Sequence, residues 1–182
     1  MKALLTSAGF ESKVVQSAFL RFLEKPPQFA KALFIPTAAI FPEAIAVLPK
    51  CMDDLLRAGI LPANITVFDL HRTMPADELC MYDAVYLTGG SPEYLMVRII
   101  ATGFNMSLKE FVVKGGVYVG VSAGSYVAAG NMPDSLGYLK ATLSVHVDAG
   151  TGAGIFDNNT TAHINLTDAN AVVIADGKYE VI

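Results

Sequence analysis

The stretch "VYVGVSAGSYVAAGN" (117–131) gives the clearest indication of the fold class of this chain. Its first five residues are β-branched or aromatic apart from Gly120, which is typical of a buried strand, and "AGSYVAAG" (123–130) has the composition of a short helix. Between them, the pattern Gly-x-Ser-x-Gly predicts a sharp strand-to-helix turn at Ser122. A strand that runs directly into a helix is one unit of a parallel α/β fold.

The same alternation of strand and helix extends upstream. Strands are predicted at 2–8, 31–38, 65–70 and 83–90, and helices at 12–25, 42–58 and 92–102 and in the segment that Ser107 would cap. Pro49 is expected to interrupt the second of these helices.

The pattern changes after Met132. Segments 138–150 and 171–182 are predicted to be antiparallel β structure, the latter turning at Asp176-Gly177, with the glycine-rich loop "TGAGIFDNNTTAH" (151–163) between them. We therefore expect a single α/β domain over 1–182, a three-layer α/β/α sandwich with a mostly parallel central sheet and antiparallel C-terminal β segments.

Composition narrows the class of protein. Hydrophobic residues make up 53% of the 182 residues and charged residues 16%, which favours a sheet buried on both faces over disorder. The net charge of -4 comes without a basic run, which argues against a nucleic-acid partner, and charges and prolines break every apolar segment too early for a membrane span. Cys51 and Cys80 lack the spacing of a paired motif, so free thiols and a cytoplasmic location are expected.

Ser122 is the predicted nucleophile. A serine hydroxyl needs a base to take its proton and fixed N–H donors for the oxyanion. Ala123 offers one such N–H directly after the turn, and Gly89 and Gly90 end another predicted strand in "LTGGSPEYL". Because ligands bind beyond the carboxyl ends of strands in open α/β sheets, these glycines are expected beside Ser122.

The candidate bases are histidines. His146 in "SVHVD" is the first choice because its β segment can return to the same edge of the sheet, and His163 is the reserve. His71 lies in a predicted loop. Three histidines this far apart, with no His-x-x-x-His pair, predict neither a metal site nor another cofactor.

Three stretches together resemble the dipeptidase E family of serine peptidases, which includes aspartyl dipeptidases and is related to cyanophycinases. They are "LFIPTAA" (33–39), "VYLTGGSPEYLM" (85–96) and "VYVGVSAGSYVAAGN" (117–131), and the ending "INLTDANAVVIADGKYEVI" (164–182) is similar to the family's final hairpin. The resemblance implies a fold like that of the class I glutamine amidotransferases, with serine in place of their cysteine. The chain departs from the family at Ser91-Pro92, where an Asn-Thr pair is usual.

The resemblance also implies roles for individual residues. It makes Ser122 the nucleophile, Gly90 and Ala123 the oxyanion donors, and His146 the base. The family's acidic residue follows the nucleophile helix, and "NMPDS" places Asp134 near that position, with Asp148 and Asp157 as rivals. No arginine occurs in 149–162 to hold an acidic substrate, and Arg72 and Arg98 are the nearest basic candidates.

The sequence thus predicts a serine exopeptidase that hydrolyses dipeptides or short peptides through a Ser-His-acid triad. Two alternatives remain open: a small esterase of the α/β-hydrolase type, and a non-catalytic protein that binds a small molecule on the same scaffold. A small peptide is the expected partner, and a homodimer is compatible with the sequence.

Overall fold

The computed structural model describes residues 1–159 and 161–182. The elements, in chain order, are β1 (Lys2–Thr6), α1 (Lys13–Leu23), β2 (Ala32–Ile35), α2 (Pro42–Ala46), α3 (Leu48–Arg57), β3 (Ile65–Val67), α4 (Ala76–Leu79), β4 (Ala84–Leu87), α5 (Pro92–Ala101), α6 (Phe104–Val113), β5 (Val117–Val121), α7 (Ala123–Ala128), β6 (Thr142–Ser144), β7 (Gly154–Asp157), β8 (His163–Asn165), β9 (Ala171–Ala175) and β10 (Lys178–Val181). Within this described part of the chain, no helix is long and apolar enough to cross a membrane.

The central sheet has eight strands in the order β3-β2-β4-β5-β1-β9-β10-β7. Strands β1 to β5 pair in parallel, whereas β9 runs antiparallel to β1, and β10 and β7 continue the antiparallel edge. Alternate strand residues enter two cores: Leu5 packs with side chains of α5 to α7, and Leu4 packs on the opposite face with those of α1 and α3. This layering confirms the predicted fold class.

Local sequence signals account for several element boundaries. Ser12 caps α1 as predicted, accepting a hydrogen bond from the Val15 N–H at 3.3 Å. The predicted helix over 42–58 divides into α2 and α3 at Val47, with Pro49 in the first turn of α3. The prediction for Ser107 was wrong. This serine lies inside α6, where it is buried and donates to the Met74 carbonyl at 2.7 Å.

The C-terminal third also differs from the sequence-based expectation. In segment 138–150 only β6 is a strand, and it pairs in parallel, not antiparallel, with β8 in a separate two-stranded sheet. The predicted loop 151–163 contains β7, which pairs with β10; Thr160 of that loop lies outside the described residues. The hairpin of β9 and β10 at Asp176-Gly177 is confirmed.

The strand order determines where functional groups meet. Strand β5 lies between β4 and β1, and all three are parallel, so their carboxyl ends share one edge of the sheet. The residues that follow these strands are Ser7, Gly89-Gly90 and Ser122. A second convergence comes from β6 and β8, because a parallel pair brings the residues after both strands to the same end.

Candidate active site

Ser122 occupies a strained turn. Its backbone has φ 47° and ψ -102°, in a region that a residue with a Cβ rarely adopts. The Ser122 N–H donates to the Thr6 carbonyl at 3.0 Å, and Ser125 Oγ lies 2.8 Å from the same carbonyl oxygen and 2.9 Å from that of Gly120. These contacts hold the turn in the form known as a nucleophile elbow.

Two glycines permit the close packing around this turn. A Cβ on Gly124 would lie 2.5 Å from the Leu87 carbonyl oxygen, so α7 can approach β4 only with glycine there. Gly90 has φ 137°, and a Cβ on it would lie 1.9 Å from the Ala38 carbonyl oxygen. The turn after β4 therefore passes directly over the loop that follows β2.

Gly89 lies beside the elbow. A Cβ placed on it would be 3.3 Å from Ser122 Cβ and 3.8 Å from Ser122 Oγ. The structure thus brings both predicted glycines to the elbow, next to Ala123, which is the first residue of α7 and is buried. The N–H groups in the first turn of a helix have no acceptor within that helix, so the Ala123 N–H can serve a substrate oxyanion.

His146 is hydrogen-bonded to Asp168. Nδ1 of His146 lies 2.7 Å from Asp168 Oδ1. A carboxylate only accepts hydrogen bonds, so Nδ1 carries the proton and Nε2 keeps its lone pair, which is the tautomer a general base requires. His146 follows β6 and Asp168 follows β8, and the parallel pairing of these strands explains why the two side chains meet.

Ser7 connects this pair to the central sheet. Its Oγ–H donates to Asp168 Oδ1 at 2.8 Å, and its oxygen accepts the His146 backbone N–H at 2.8 Å. The latter bond holds His146 in a left-handed backbone conformation with φ 57°. Ser7 follows β1, the neighbour of β5, so one hydroxyl fixes the histidine and its acid relative to the strand that carries Ser122.

The hydrogen bonds keep Asp168 ionised. Partial desolvation raises the pKa of Asp168, but the hydrogen bonds from Ser7 and His146, together with the nearby imidazole and the positive charge of Lys50, outweigh it and hold that pKa below its usual value. The carboxylate therefore keeps its charge beside the imidazole to lower pH than an isolated aspartate would.

These groups surround one cavity of about 350 Å³. Its lining residues are Ser7, Ala8, Glu43, Ala44, Val47, Lys50, Cys51, Gly89, Gly90, Val121, Ser122, His146 and Asp168. Among the described residues no hydrogen bond joins Ser122 Oγ to His146, and such bonds commonly shorten only when substrate binds. The cavity holds a potential nucleophile, base and acid together.

Ser7 and Cys51 also carry a hydroxyl and a thiol in this cavity. The Ser7 hydroxyl already donates to Asp168, so Cys51 is the remaining competitor of Ser122. Burial, and then the nearby charge of Asp54, raise the pKa of its thiol to about 11. The thiolate is therefore scarce at neutral pH, and Ser122 is the better candidate.

Asp134, the acid predicted from the sequence, does not lie at this site. It lines a separate cavity with Met106 and Tyr138 on the side of α5 and α6, which corrects the prediction. The rivals fail as well: Asp148 and Asp157 are outside the Ser122 cavity, and Asp157 accepts the Asn159 N–H at 2.9 Å.

The side chain of His163, the reserve base, contacts groups outside the Ser122 cavity. Its ring nitrogens contact two hydroxyls of β6, Thr142 Oγ1 at 2.8 Å and Ser144 Oγ at 3.0 Å. His71 contacts Asp69 at 2.6 Å in an exposed loop. Within the described residues, no three His, Cys, Asp or Glu side chains form a group that could hold a metal ion.

Sequence reasoning missed Asp168 and Ser7. Asp168 stands in "NLTDAN", just before a buried strand, and Ser7 directly follows the first strand. The signal that could have identified Ser7 is its position near the end of the predicted strand 2–8. Because that strand was expected in the parallel sheet, its carboxyl end was expected at the edge where ligands bind.

Ser7→Ala is expected to lower kcat/KM for any hydrolysed substrate by roughly ten-fold, because the partly buried N–H of His146 and a carboxylate oxygen of Asp168 lose their shared partner. The pKa of Asp168 would rise without the Ser7 hydrogen bond. Its charge is lost as pH falls through that pKa, so the acidic limb of a kcat/KM profile should move to higher pH.

The matched control is Ser107→Ala, which removes a buried serine hydroxyl outside the cavity and should change stability without moving the profile. A Ser7→Ala profile that superimposes on that of the parent would contradict this role for Ser7.

Comparison with known proteins finds similar sequences among peptidases. A model of peptidase family S51 matches residues 3–172. An uncharacterized peptidase of Listeria innocua serovar 6a is 28% identical over 132 residues, which cover 72% of this chain and 62% of that protein, less than two thirds of its length. An uncharacterized peptidase of Listeria monocytogenes serovar 1/2a is 25% identical over 167 residues, 92% of this chain and 80% of that protein.

Solved structures share the fold. A crystal structure from Listeria monocytogenes EGD-e, of a protein provisionally assigned as a peptidase E, superposes with a TM-score of 0.75 at 21% identity and covers 100% of this chain and 97% of that chain. A peptidase from an acI-B1 Actinobacterium gives a TM-score of 0.67 at 16% identity, covering 100% and 86%. These superpositions confirm the predicted α/β fold class. The match of the family model over nearly the whole chain shows that this protein belongs to peptidase family S51.

Proposed function

We propose that the protein is a serine exopeptidase that hydrolyses dipeptides or short peptides. The observation that carries this proposal is the hydrogen-bonded pair of His146 and Asp168 in the same cavity as Ser122 on its strained turn. A serine, a histidine with a free Nε2 and an ionised aspartate form the set that peptide-bond hydrolysis by a serine enzyme requires.

The first half of the reaction transfers the acyl group to the enzyme. Ser122 Oγ forms a bond to the scissile carbonyl carbon while its proton passes to His146 Nε2. The resulting oxyanion accepts hydrogen bonds from the N–H groups of Gly90 and Ala123. The carbon–nitrogen bond then breaks, the proton on Nε2 moves to the leaving amine, and the acyl group remains on Ser122.

The second half restores the enzyme. A water molecule gives a proton to His146 Nε2 and attacks the acyl carbon, and the bond to Ser122 Oγ breaks as the hydroxyl takes that proton back. Asp168 stays ionised throughout and stabilises the imidazolium that forms twice in each cycle.

The size of the cavity supports short substrates. Its volume of about 350 Å³ is near the lower end of the roughly 300–1,000 Å³ typical of small-molecule sites. Apolar side chains of Ala8, Ala44, Val47 and Val121 form much of its wall, so it has room for one or two residues of modest size.

The structure favours neither alternative function. In an α/β-hydrolase the sheet continues beyond the nucleophile strand in further strand–helix units, whereas here β9, β10 and β7 extend the sheet antiparallel on the far side of β1. A purely binding protein would have no need for a histidine and an ionised acid fixed in the cavity of the elbow serine.

Incubation with a panel of dipeptides and tripeptides, followed by quantification of released amino acids, tests the proposal. We expect hydrolysis of at least one dipeptide at a rate that a chelator does not change, because serine, histidine and aspartate supply the nucleophile and the proton transfers. Hydrolysis of short acyl esters without any peptide hydrolysis would contradict the proposal, and so would inactivation by the chelator.

A further inference from the structure

Apart from the Cys51 thiol, which stays protonated at neutral pH, four charged or titratable side chains line the cavity around Ser122, and three of them already have partners. His146 and Asp168 bind each other, and Lys50 Nζ forms an ion pair with Glu11. The fourth, Glu43, is solvent-exposed at the rim of the cavity and makes no hydrogen bond or ion pair among the described residues.

The position of Glu43 follows from the helix break at Val47. Glu43 lies in the first turn of α2, and Lys50 lies in the first turns of α3. Both helices contribute to the wall of the cavity, and Ala44 and Val47, which also line it, lie between the two charged residues in the chain. The ammonium of Lys50 forms its ion pair with Glu11, so it does not neutralise the carboxylate of Glu43.

An unpartnered carboxylate in a substrate cavity attracts cations and repels anions. The arginines that might hold an acidic substrate are engaged elsewhere: Arg72 pairs with Glu78, and Arg98 donates to the Leu70 carbonyl. Neither arginine lines the cavity. The charge available to a substrate here is therefore negative, and the complementary group on a short peptide is an ammonium.

We propose that Glu43 binds an ammonium group of the substrate and so selects peptides with a free amino terminus. This inference rests on the proposed function. In an exopeptidase that removes the N-terminal residue, the α-nitrogen is two bonds from the carbonyl carbon that the serine attacks. The group that recognises it must then lie in the cavity of Ser122 itself, and Glu43 is there.

A lysine side chain would present the same chemistry, so the experiment must separate the two sources. Isothermal titration calorimetry with the Ser122→Ala protein measures binding without turnover. The ligands are Ala-Ala, which carries an α-ammonium, N-acetyl-Ala-Ala, which carries no ammonium, and N-acetyl-Lys-Ala, which carries a side-chain ammonium. Each is titrated into three proteins: Ser122→Ala, the double variant Ser122→Ala with Glu43→Gln, and the double variant Ser122→Ala with Glu110→Gln. Glu110→Gln is a surface control that removes the same charge from α6.

We expect Ala-Ala to bind roughly ten-fold more tightly than N-acetyl-Ala-Ala, and Glu43→Gln to remove this difference while Glu110→Gln keeps it. The advantage of Ala-Ala should also fade as pH rises through about 8, where an α-ammonium loses its proton. If N-acetyl-Lys-Ala binds more tightly than Ala-Ala and Glu43→Gln abolishes that preference, Glu43 binds a side-chain ammonium and the selection of a free amino terminus is overturned.

Equal binding of all three peptides, no binding at all, or discrimination that survives Glu43→Gln would overturn the inference. These outcomes are distinct from a failure of the proposed function, which would appear as an absence of hydrolysis by the parent protein whatever its binding preference.

Discussion

Ser122→Ala is expected to lower kcat/KM for the best dipeptide by about 10⁴- to 10⁶-fold, leaving only what oxyanion donors and substrate binding contribute. The physical reason is that the hydroxyl on the strained turn is the atom that bonds to the substrate, and its loss removes the acyl-enzyme route entirely. The measurement is the steady-state release of free amino acid, with circular dichroism to show that the variant is folded.

Ser122→Gly provides an independent check on the same position. A φ of 47° is strained for serine but not for glycine, so this variant should be as inactive as Ser122→Ala yet melt at a higher temperature than either the alanine variant or the parent. Inactivity joined to a raised Tm would separate loss of the nucleophile from loss of the fold.

Cys51→Ala is the control for the other potential nucleophile in the cavity. Because its thiol stays protonated at neutral pH, this variant should keep most of the activity. Full activity in Ser122→Ala, or loss of activity confined to Cys51→Ala, would contradict the assignment of Ser122.

Asp168→Asn is expected to reduce kcat by about 10³- to 10⁴-fold, because a neutral amide neither stabilises the imidazolium of His146 nor enforces its tautomer. The 2.7 Å contact between Asp168 Oδ1 and His146 Nδ1 is the geometric basis for this magnitude. Binding of an unreacted dipeptide should change far less than kcat, since Asp168 acts through the histidine.

Asp134→Asn is the matched control, since it makes the same change at the acid that the sequence favoured. Asp134 lines the separate cavity on the side of α5 and α6, so this variant should hydrolyse dipeptides at the parental rate. The reverse result, a large loss with Asp134→Asn and none with Asp168→Asn, would restore the sequence-based choice.

The elbow and its surroundings were predictable because their signals are local. The pattern around Ser122 predicts both the strand and the helix. A parallel sheet brings the ends of neighbouring strands to one edge, which predicts that Gly89 and Gly90 lie beside Ser122. Close packing at Gly90 and Gly124 explains why glycine occurs there.

The acid was not predictable in the same way. His146 and Asp168 are 22 residues apart, and their contact depends on the parallel register of β6 and β8, two strands of three residues each. Such short strands carry little pattern, and the segment containing β6 was expected to pair antiparallel. Asp134 was favoured because it follows the nucleophile helix closely in the chain, but the chain there packs on the side of α5 and α6.

If Ser122 is a nucleophile activated by the pair of His146 and Asp168, it should react with a fluorophosphonate. Mass spectrometry of the digested protein after that reaction identifies the labelled residue. We expect one phosphonylated residue, Ser122, labelled much more slowly in Asp168→Asn and at the parental rate in Asp134→Asn. Labelling of another residue, or labelling of Ser122 that does not depend on Asp168, would contradict this role of Ser122.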